Sequence, residues 1–345
     1  MLVFNGCYTA LITPMTETYT VDYDGLNALV EFQTKQGVSG ILAVGTTGES
    51  PTLDWNEHNK VIETVFSNME KKCLTIAGTG SNSTAETLKG TKHAADIGVK
   101  AVLLVDPYYN GPSSTEIRKE YIEPVAQHFP NLQIIPYVIP GRTGTQLYPQ
   151  DLAILNQLYQ NVSVVKEATG NLDNMRLTRE LCGKDFTILS GDDDKTFAMM
   201  NSPNIKAAGV ISVASNVAPY AVQTLVQAIQ NQERRKAKKL KDALQPLFNL
   251  VTVKTIEDTA FGPVTCRARN PLGFKTLMQI LGMPSGPCRQ PLGKMTKAGF
   301  NIVLDISRKI YKQNPEILTP IEEFFDVSLQ ERLYKRKFWE GLYYD

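Results

Sequence analysis

The sequence lacks the features that mark several classes of protein. Its 345 residues include only three histidines and five cysteines, with no C-x-x-C pair. Neither a disulfide framework nor a metal site is therefore predicted. No stretch approaches the ~20 apolar residues needed to cross a bilayer, and the N-terminus has no signal-peptide pattern. We therefore expect a cytoplasmic protein with no membrane partner.

An excess of charge of either sign is also missing. Lys and Arg total 36 against 35 Asp and Glu, giving a formal net charge of +1, so no nucleic-acid partner is expected. No P-loop motif appears, and no G-x-G-x-x-G motif follows the first predicted strand. With 42% hydrophobic residues the chain can bury a full core. A small metabolite is the ligand that these absences favour.

Short runs rich in Val, Ile and Leu alternate with segments in which apolar residues recur every three or four positions. The eight apolar runs cover residues 7–13, 40–45, 73–80, 101–106, 133–140, 162–168, 187–193 and 207–216. Helical periodicity is found at 22–37, 56–72, 84–98 and 115–129, and later at 232–251, 270–282 and 294–313. Eight strand and helix repeats predict an α/β fold, a closed (β/α)8 TIM barrel. A doubly wound open sheet is the alternative.

The repeat ends near residue 230, which predicts two regions. Residues 1–230 should form the barrel and catalytic domain, and residues 231–345 an appended C-terminal helical region. That second region includes an insertion near 252–269 and an extra tail after about residue 314. The tail is rich in aromatic and charged residues, and either a docked helix or an interface arm would suit it.

The chemistry of a barrel enzyme lies at the C-terminal ends of its strands. Lys166 lies at the exit of the sixth run, where burial would lower the pKa of the amine and leave it free to attack a carbonyl. Hydroxyls of Thr46 and Tyr137 could relay protons. Arg142 could bind a carboxylate, and the backbone near Thr46 and Thr47 a second one. Together these groups indicate Schiff-base chemistry on an oxo-acid.

Ordinary structural roles compete with each of these interpretations. A lysine at a strand end is usually solvated, and a threonine pair can simply form a turn. Asp192 to Asp194 would be expected to cap the helix that follows them. The functional interpretation is favoured over these structural roles because the groups follow different strands, and a barrel brings the ends of its strands together.

Six motifs carry a resemblance to a known family. They are "GTTGES" (45–50), "PYYNGPS" (107–113), "PGRTG" (140–144), "VVKEATGNL" (164–172), "SGDDD" (190–194) and "GVISVASN" (209–216). In this order and spacing the chain resembles the dihydrodipicolinate synthase and N-acetylneuraminate lyase family of pyruvate-dependent aldolases. The resemblance extends over nearly the whole chain, so it is more specific than any one motif.

The resemblance implies a role for each site residue. Lys166 would form the imine with pyruvate, without any other cofactor. Tyr137, Thr46 and Tyr109 would relay protons, with Tyr109 supplied by a neighbouring subunit of a homodimer or homotetramer. The residues that it implies for substrate binding are Thr47, Gly191, the backbone of Ile211, and Arg142 for the carboxylate of L-aspartate 4-semialdehyde.

The implied reaction is a lyase-class condensation of pyruvate with L-aspartate 4-semialdehyde to 4-hydroxy-tetrahydrodipicolinate, the first committed step towards diaminopimelate and lysine. Another pyruvate-dependent aldolase or a 2-oxo-acid dehydratase or lyase of the same family is the alternative. A barrel that binds a metabolite or partner without catalysis is a third, which the intact set of Lys, Tyr and Thr side chains disfavours.

The same resemblance implies feedback inhibition by L-lysine at a subunit interface. The matching positions are Ser50, Pro51, Trp55, His58, Asn82, Glu86 and Tyr108; an ordinary interface is the alternative. One departure lies beside the predicted relay tyrosine. Val138 stands where the family usually has asparagine, and we expect it to alter the floor of the pocket.

Overall fold

Eight parallel strands close into a barrel in the order β1 to β8. The computed structural model describes residues 2–70 and 72–344. The strands are β1 (Gly6–Ala10), β2 (Gly40–Ala43), β3 (Leu74–Gly78), β4 (Ala101–Val105), β5 (Gln133–Val138), β6 (Val164–Glu167), β7 (Thr187–Ser190) and β8 (Gly209–Ser212). All eight predicted strands and the closed barrel are confirmed, and the open-sheet alternative is excluded because β1 pairs with both β2 and β8.

Closure depends on two glycines at the seam. Gly6 of β1 lies opposite Gly209 of β8. A Cβ atom on Gly209 would lie 2.1 Å from the carbonyl oxygen of Gly6, so any larger residue would push the first and last strands apart.

Alternation along the strands separates two apolar layers. One buried cluster fills the barrel interior and includes Tyr8, Leu42, Leu103, Ile135 and Ile211. A larger cluster lies between the strands and the surrounding helices. Tyr137 belongs to the interior and the next residue, Val138, to the outer layer, since neighbouring side chains point to opposite faces. The expectation that Val138 alters the pocket floor is therefore wrong.

Helices surround the barrel. They are α1 (Tyr23–Lys35), α2 (Trp55–Asn68), α3 (Thr84–Asp96), α4 (Ser114–Glu116), α5 (Glu123–His128), α6 (Pro140–Thr143), α7 (Pro149–Leu158), α8 (Leu172–Cys182), α9 (Asp193–Asn201) and α10 (Pro219–Gln230). A π-helical segment, Ile117–Ile122, joins α4 to α5 within the predicted helix 115–129. Asp54 starts α2 with a capping box that it forms with Glu57. Among the described residues, no helix is both long and apolar enough to cross a bilayer.

Beyond the barrel the chain continues as helices and one hairpin. The elements are α11 (Arg234–Phe248), β9 (Thr252–Thr259), β10 (Gly262–Arg269), α12 (Leu272–Leu281), α13 (Lys297–Gln313), α14 (Thr319–Phe325) and α15 (Leu329–Tyr334). The segment 252–269 is thus an antiparallel hairpin, in which Thr252 pairs with Arg269.

The tail docks on the barrel as two short helices. The rings of Phe324 and Phe325 lie 5.3 and 5.2 Å from that of Phe32 on α1. Arg332 of α15 donates from Nε to the carbonyl oxygen of Ile280, and Leu333 is fully buried. These contacts complete the outer core, so the tail is part of the packed structure.

Candidate active site

Lys166 lies at the end of β6 inside the barrel mouth. It is paired with Tyr137 of β5, and its Nζ atom lies 4.0 Å from the centre of the Tyr137 ring. The residue is only 4% exposed, which contradicts the interpretation of a solvated strand end. Burial lowers the pKa of the amine to about 7; the charges of Asp192 and Asp193 oppose the shift and that of Arg142 favours it. Lys166 is therefore half deprotonated at neutral pH.

The Tyr137 ring lies beside this amine and carries a hydroxyl that keeps its proton. Burial raises the pKa of Tyr137 above its ordinary value, and the nearby charge of Arg142 and the hydroxyl of Thr46 only partly offset that effect. The phenol stays protonated at neutral pH, so it can pass a proton to a bound carbonyl oxygen without carrying charge beforehand.

Thr46 and Thr47 lie in the turn that follows β2. The turn is closed by backbone hydrogen bonds from Gly48 to Gly45 (3.0 Å) and from Glu49 to Thr46 (3.2 Å). Within the described residues, the amide N–H groups of Thr46 and Thr47 donate to no protein acceptor. Two adjacent free N–H groups and two hydroxyls suit a small carboxylate.

A buried ion pair supports this turn from behind. Glu49 adopts the left-handed conformation, φ 57°. Its Oε1 accepts from Lys275 Nζ of α12 at 2.7 Å, and its Oε2 accepts from the backbone N–H of Arg289 at 2.8 Å. Lys275 also donates to the carbonyl oxygens of Thr13 and Pro287. Sequence reasoning missed this pair, although a lysine inside the apolar stretch 270–282 was the available signal.

Arg142 reaches the mouth from the short helix α6. Its Nη2 atom donates to the carbonyl oxygen of Asn270 at 3.0 Å. Burial lowers its pKa, and the charge of Arg269 acts in the same direction; the guanidinium remains charged nevertheless. Asn270 was also missed: its Nδ2 donates to Thr47 Oγ1 at 3.0 Å, and its buried Oδ1 has no partner among the described residues. Asn270 therefore bridges the two predicted carboxylate sites.

The aspartates after β7 do not act as predicted. Asp192 occupies the N-cap position of α9, but its side chain makes no capping hydrogen bond. Asp193 accepts from the hydroxyl of Ser212 and from the backbone N–H groups of Val213 and Ala214. The capping prediction is wrong because the loop after β8 offers Asp193 donors inside the barrel mouth. Burial raises the pKa of Asp192 to about 6, and the charges of both Asp192 and Asp193 raise the pKa of Lys166.

Gly191 and Ile211 line the same space. A Cβ on Gly191 would lie 2.7 Å from the Ala168 side chain and 3.3 Å from Lys166 Cε, so a side chain there would clash with Ala168 and crowd the lysine. Ile211 is buried in β8 opposite Tyr8. The structure therefore places Gly191 next to Lys166 and Ile211 in the barrel interior.

Tyr109 is the one predicted catalytic residue that the single chain does not bring to Lys166. It is 94% exposed and adopts the left-handed conformation, φ 79°. A bulky residue seldom holds that conformation without tertiary support. The adjacent Tyr108 is held by a hydrogen bond from its backbone N–H to Asn82 Oδ1, 2.8 Å long.

A cavity connects the candidate catalytic residues with part of the predicted lysine site. Its lining includes Thr46, Tyr137 and Arg142 from the first group and Ser50, Pro51 and Tyr108 from the second.

The remaining predicted lysine-site residues lie in two nearby groups. The rings of Trp55 and His58 lie with their centres 4.6 Å apart and their planes tilted by 50°. Burial lowers the pKa of His58 to about 4, so this imidazole is neutral at pH 7. Glu86 accepts from the Ser81 hydroxyl, and its charge together with burial raises the pKa of Tyr108.

The fold and the site define a class of protein. A closed (β/α)8 barrel presents a buried, half-deprotonated lysine at the strand ends, next to a protonated tyrosine and an arginine. That combination is typical of barrel enzymes that form an imine with a small carbonyl compound. No cluster of three metal-ligating side chains occurs in residues 2–70 and 72–344.

Comparison with known proteins gives the family. The profile of the dihydrodipicolinate synthetase family matches residues 3–306. A 4-hydroxy-tetrahydrodipicolinate synthase of Methanococcus maripaludis is 40% identical over 293 residues, covering 85% of this chain and 94% of the relative. The chain belongs to the dihydrodipicolinate synthetase family, and it is an enzyme of the lyase class.

Solved structures agree with this assignment. Dihydrodipicolinate synthase from Aquifex aeolicus has a TM-score of 0.81 and 36% identity, with 91% of this chain and 99% of that chain covered. The synthase from Cyanidioschyzon merolae, solved with lysine bound, has a TM-score of 0.80 and 31% identity, covering 89% and 98%.

Proposed function

We propose that the chain condenses pyruvate with L-aspartate 4-semialdehyde to give 4-hydroxy-tetrahydrodipicolinate, through an imine between pyruvate and Lys166. Family membership supports this reaction, which belongs to diaminopimelate and lysine biosynthesis and requires no external cofactor. The observation that carries the assignment of Lys166 is its burial against Tyr137 with a pKa of about 7. The five cysteines are free thiols, which suits the cytoplasm that we propose as its compartment.

Imine formation needs a free amine and a proton for the departing water. The neutral fraction of Lys166 attacks the ketone carbon of pyruvate, and Tyr137 donates a proton to the oxygen, which becomes the hydroxyl of a carbinolamine. The nitrogen gives its two protons back to the relay, and the hydroxyl takes a second proton and leaves as water as the C=N bond forms. Thr46 lies next to Tyr137 and can replace the proton that Tyr137 donates by passing one on from the next group in the relay. Thr47 and the free N–H groups of its turn bind the pyruvate carboxylate.

Two further residues shape the site around pyruvate. Gly191 leaves room for the imine because it has no Cβ, which would otherwise lie 3.3 Å from Lys166 Cε. The backbone near Ile211 closes the opposite wall. Arg142 receives the carboxylate of L-aspartate 4-semialdehyde, since its planar guanidinium can form two parallel hydrogen bonds to one carboxylate.

Trapping the imine tests the assignment of the nucleophile. Borohydride added with pyruvate should leave one reduced pyruvate adduct on Lys166, detected by peptide mass mapping, and the Lys166→Arg variant should carry none. Lys275 is an internal control, since it is equally buried but is bound to Glu49 behind the turn. An adduct on another lysine, or none at all, would rule out Lys166 as the nucleophile.

A coupled assay tests the second substrate. We expect Arg142→Ala to lose most turnover of L-aspartate 4-semialdehyde while pyruvate trapping on Lys166 persists. Unchanged turnover in that variant would reject the assignment of Arg142 and favour another aldehyde.

Tyr109 completes the relay from a second subunit, so the active form is a homodimer or homotetramer. The exposed, strained Tyr109 supports this, since a neighbouring chain could bury it. Mixing two impaired variants, Lys166→Met and Tyr109→Phe, should restore activity, because a mixed dimer has one site with both intact groups. No recovery from co-expressed variants would show that Tyr109 does not act across subunits.

L-Lysine acts as a feedback inhibitor between the subunits. The cavity shared by Ser50, Pro51 and Tyr108 with the catalytic residues supports this, and a neighbouring structure of the family holds lysine. We expect added L-lysine to inhibit the coupled assay, and Glu86→Gln to weaken the inhibition by removing the carboxylate that would pair with its ammonium group. Inhibition that Glu86→Gln leaves unchanged would place the effector elsewhere.

A further inference from the structure

The hairpin of β9 and β10 ends at the mouth of the barrel. The pair at its open end joins Thr252 to Arg269, and Arg269 directly precedes Asn270. The Asn270 carbonyl oxygen accepts from Arg142, and its side chain donates to Thr47. The base of the hairpin therefore touches the candidate binding residues of two different strand exits.

Arg269 and Arg142 each donate a hydrogen bond to the segment that carries the other arginine. Arg269 Nη2 donates to the carbonyl oxygen of Gly141 at 3.0 Å, and Arg142 Nη2 donates to that of Asn270 at 3.0 Å. Each guanidinium thus binds the backbone of the residue adjacent to the other arginine. Both acceptors are neutral carbonyl oxygens, so these contacts neutralise neither positive charge.

More positive charge lies along the same face of the hairpin. Lys254 is directly opposite Arg267, and Arg269 lies two residues further along β10 on the same face. Like charges directly opposite each other destabilise a strand pair. Hairpin stability therefore does not account for these cations, and Arg269 is the one that hydrogen-bonds to the segment carrying Arg142, where a bound anion would be attracted.

We propose that Arg269 is a second guanidinium of the carboxylate clamp, and that with Arg142 it binds the carboxylate of the aldehyde substrate. This inference rests on the proposed function and assigns to the hairpin a role in substrate selection. The ligand class is a small aldehyde that carries a carboxylate, because two adjacent guanidiniums can each offer paired N–H donors to carboxylate oxygens. Pyruvate is bound elsewhere, at the Thr46–Thr47 turn, and does not need Arg269.

Kinetics of charge-removing variants test the proposal. Arg269→Gln keeps an N–H donor for Gly141 but removes the charge, and it should raise KM for L-aspartate 4-semialdehyde about 5- to 30-fold, as for loss of one partly exposed charge-assisted hydrogen bond. KM for pyruvate should stay within about two-fold, and Arg269→Lys should recover part of the loss. The matched control is Arg267→Gln, two residues away on the same face, which should change KM for the aldehyde less than about two-fold.

Three outcomes would overturn the proposal: an unchanged KM for the aldehyde in Arg269→Gln, an equal rise in both KM values, or an equal effect of Arg267→Gln. Unfolding midpoints of the variants should match the wild type, and Arg269→Lys remains informative if Arg269→Gln folds poorly. Borohydride trapping of pyruvate separates two kinds of failure. If Lys166 is trapped but Arg269 proves irrelevant, only this inference fails; if wild-type Lys166 is not trapped, the proposed function fails and the inference falls with it.

Discussion

The low pKa of Lys166 can be tested through the pH dependence of imine formation. The ordinary lysine value is 10.5, and burial lowers that of Lys166 to about 7. At pH 7 about half of the amine is then neutral, against roughly one molecule in 3,000 at the ordinary value. The change in pKa corresponds to about 5 kcal/mol in the free energy of deprotonating the amine. Since only the neutral amine attacks, the rate of imine formation should rise from pH 5 and level off above pH 7 to 8.

The assay is single-turnover trapping of pyruvate with cyanoborohydride, quantified by mass spectrometry across a pH series. The rising limb reports the amine of the free enzyme. Tyr137 should not limit the rate on the alkaline side below pH 9, because burial raises its pKa. A rate that keeps rising tenfold per pH unit up to pH 9 or 10 would refute the claim that burial has lowered the pKa of Lys166.

A substitution next to Lys166 sharpens the test. The charge of Asp192 raises the pKa of Lys166, and Asp192 itself has a pKa of about 6, so it is largely ionised at pH 7. Asp192→Asn should therefore move the midpoint of the rising limb to lower pH. A shift to higher pH would show that the carboxylate does not stabilise the protonated amine.

Three further predictions concern stability, each measured by urea denaturation. Lys275→Met should cost about 3–5 kcal/mol by leaving Glu49 buried without its partner, and the added Glu49→Met should recover part of that loss; a harmless single variant would contradict the pairing. Burial raises the pKa of Asp106 from 3.8 to about 8. Between these values the unfolded chain ionises Asp106 and the folded chain does not, so the stability of the wild type falls as pH rises. Asp106→Asn should therefore gain stability relative to wild type from about pH 4 to 8 and no more above it, and a constant difference would argue against the shift. Leu333→Ala should cost about 2–5 kcal/mol as a buried truncation, with half-exposed Tyr334→Ala as control, and equal effects would mean that the tail is not docked.

Much of the fold could be predicted because its signals are local. Each barrel strand is a short apolar run and each major helix repeats apolar residues every three or four positions, so the eightfold alternation is visible in the sequence. The predicted positions of Lys166, Tyr137 and Arg142 at the mouth follow from the rule that barrel strands end on one face. The order of the strands was therefore enough to predict that these three residues lie close together.

What could not be predicted depends on contacts between distant segments. Glu49 and Lys275 lie 226 residues apart, and Asn270 meets Thr47 across 223 residues; periodicity carries no information about such pairs. The prediction for Asp193 was wrong for the same reason. A local rule favours capping of the following helix, but Ser212 and the loop after β8 provide better donors.

The docked tail has a consequence for how the chain folds. Phe32 lies in the first helix, yet the rings that cover it belong to Phe324 and Phe325, nearly 300 residues later. Barrel closure likewise waits for Gly209 to reach Gly6. During synthesis the N-terminal apolar surface must remain uncovered until those residues have emerged, and such long-range closure slows folding. The nascent chain is thus most exposed to aggregation or chaperone capture along α1, and deletion of the tail would prolong that stage rather than merely weaken the finished protein.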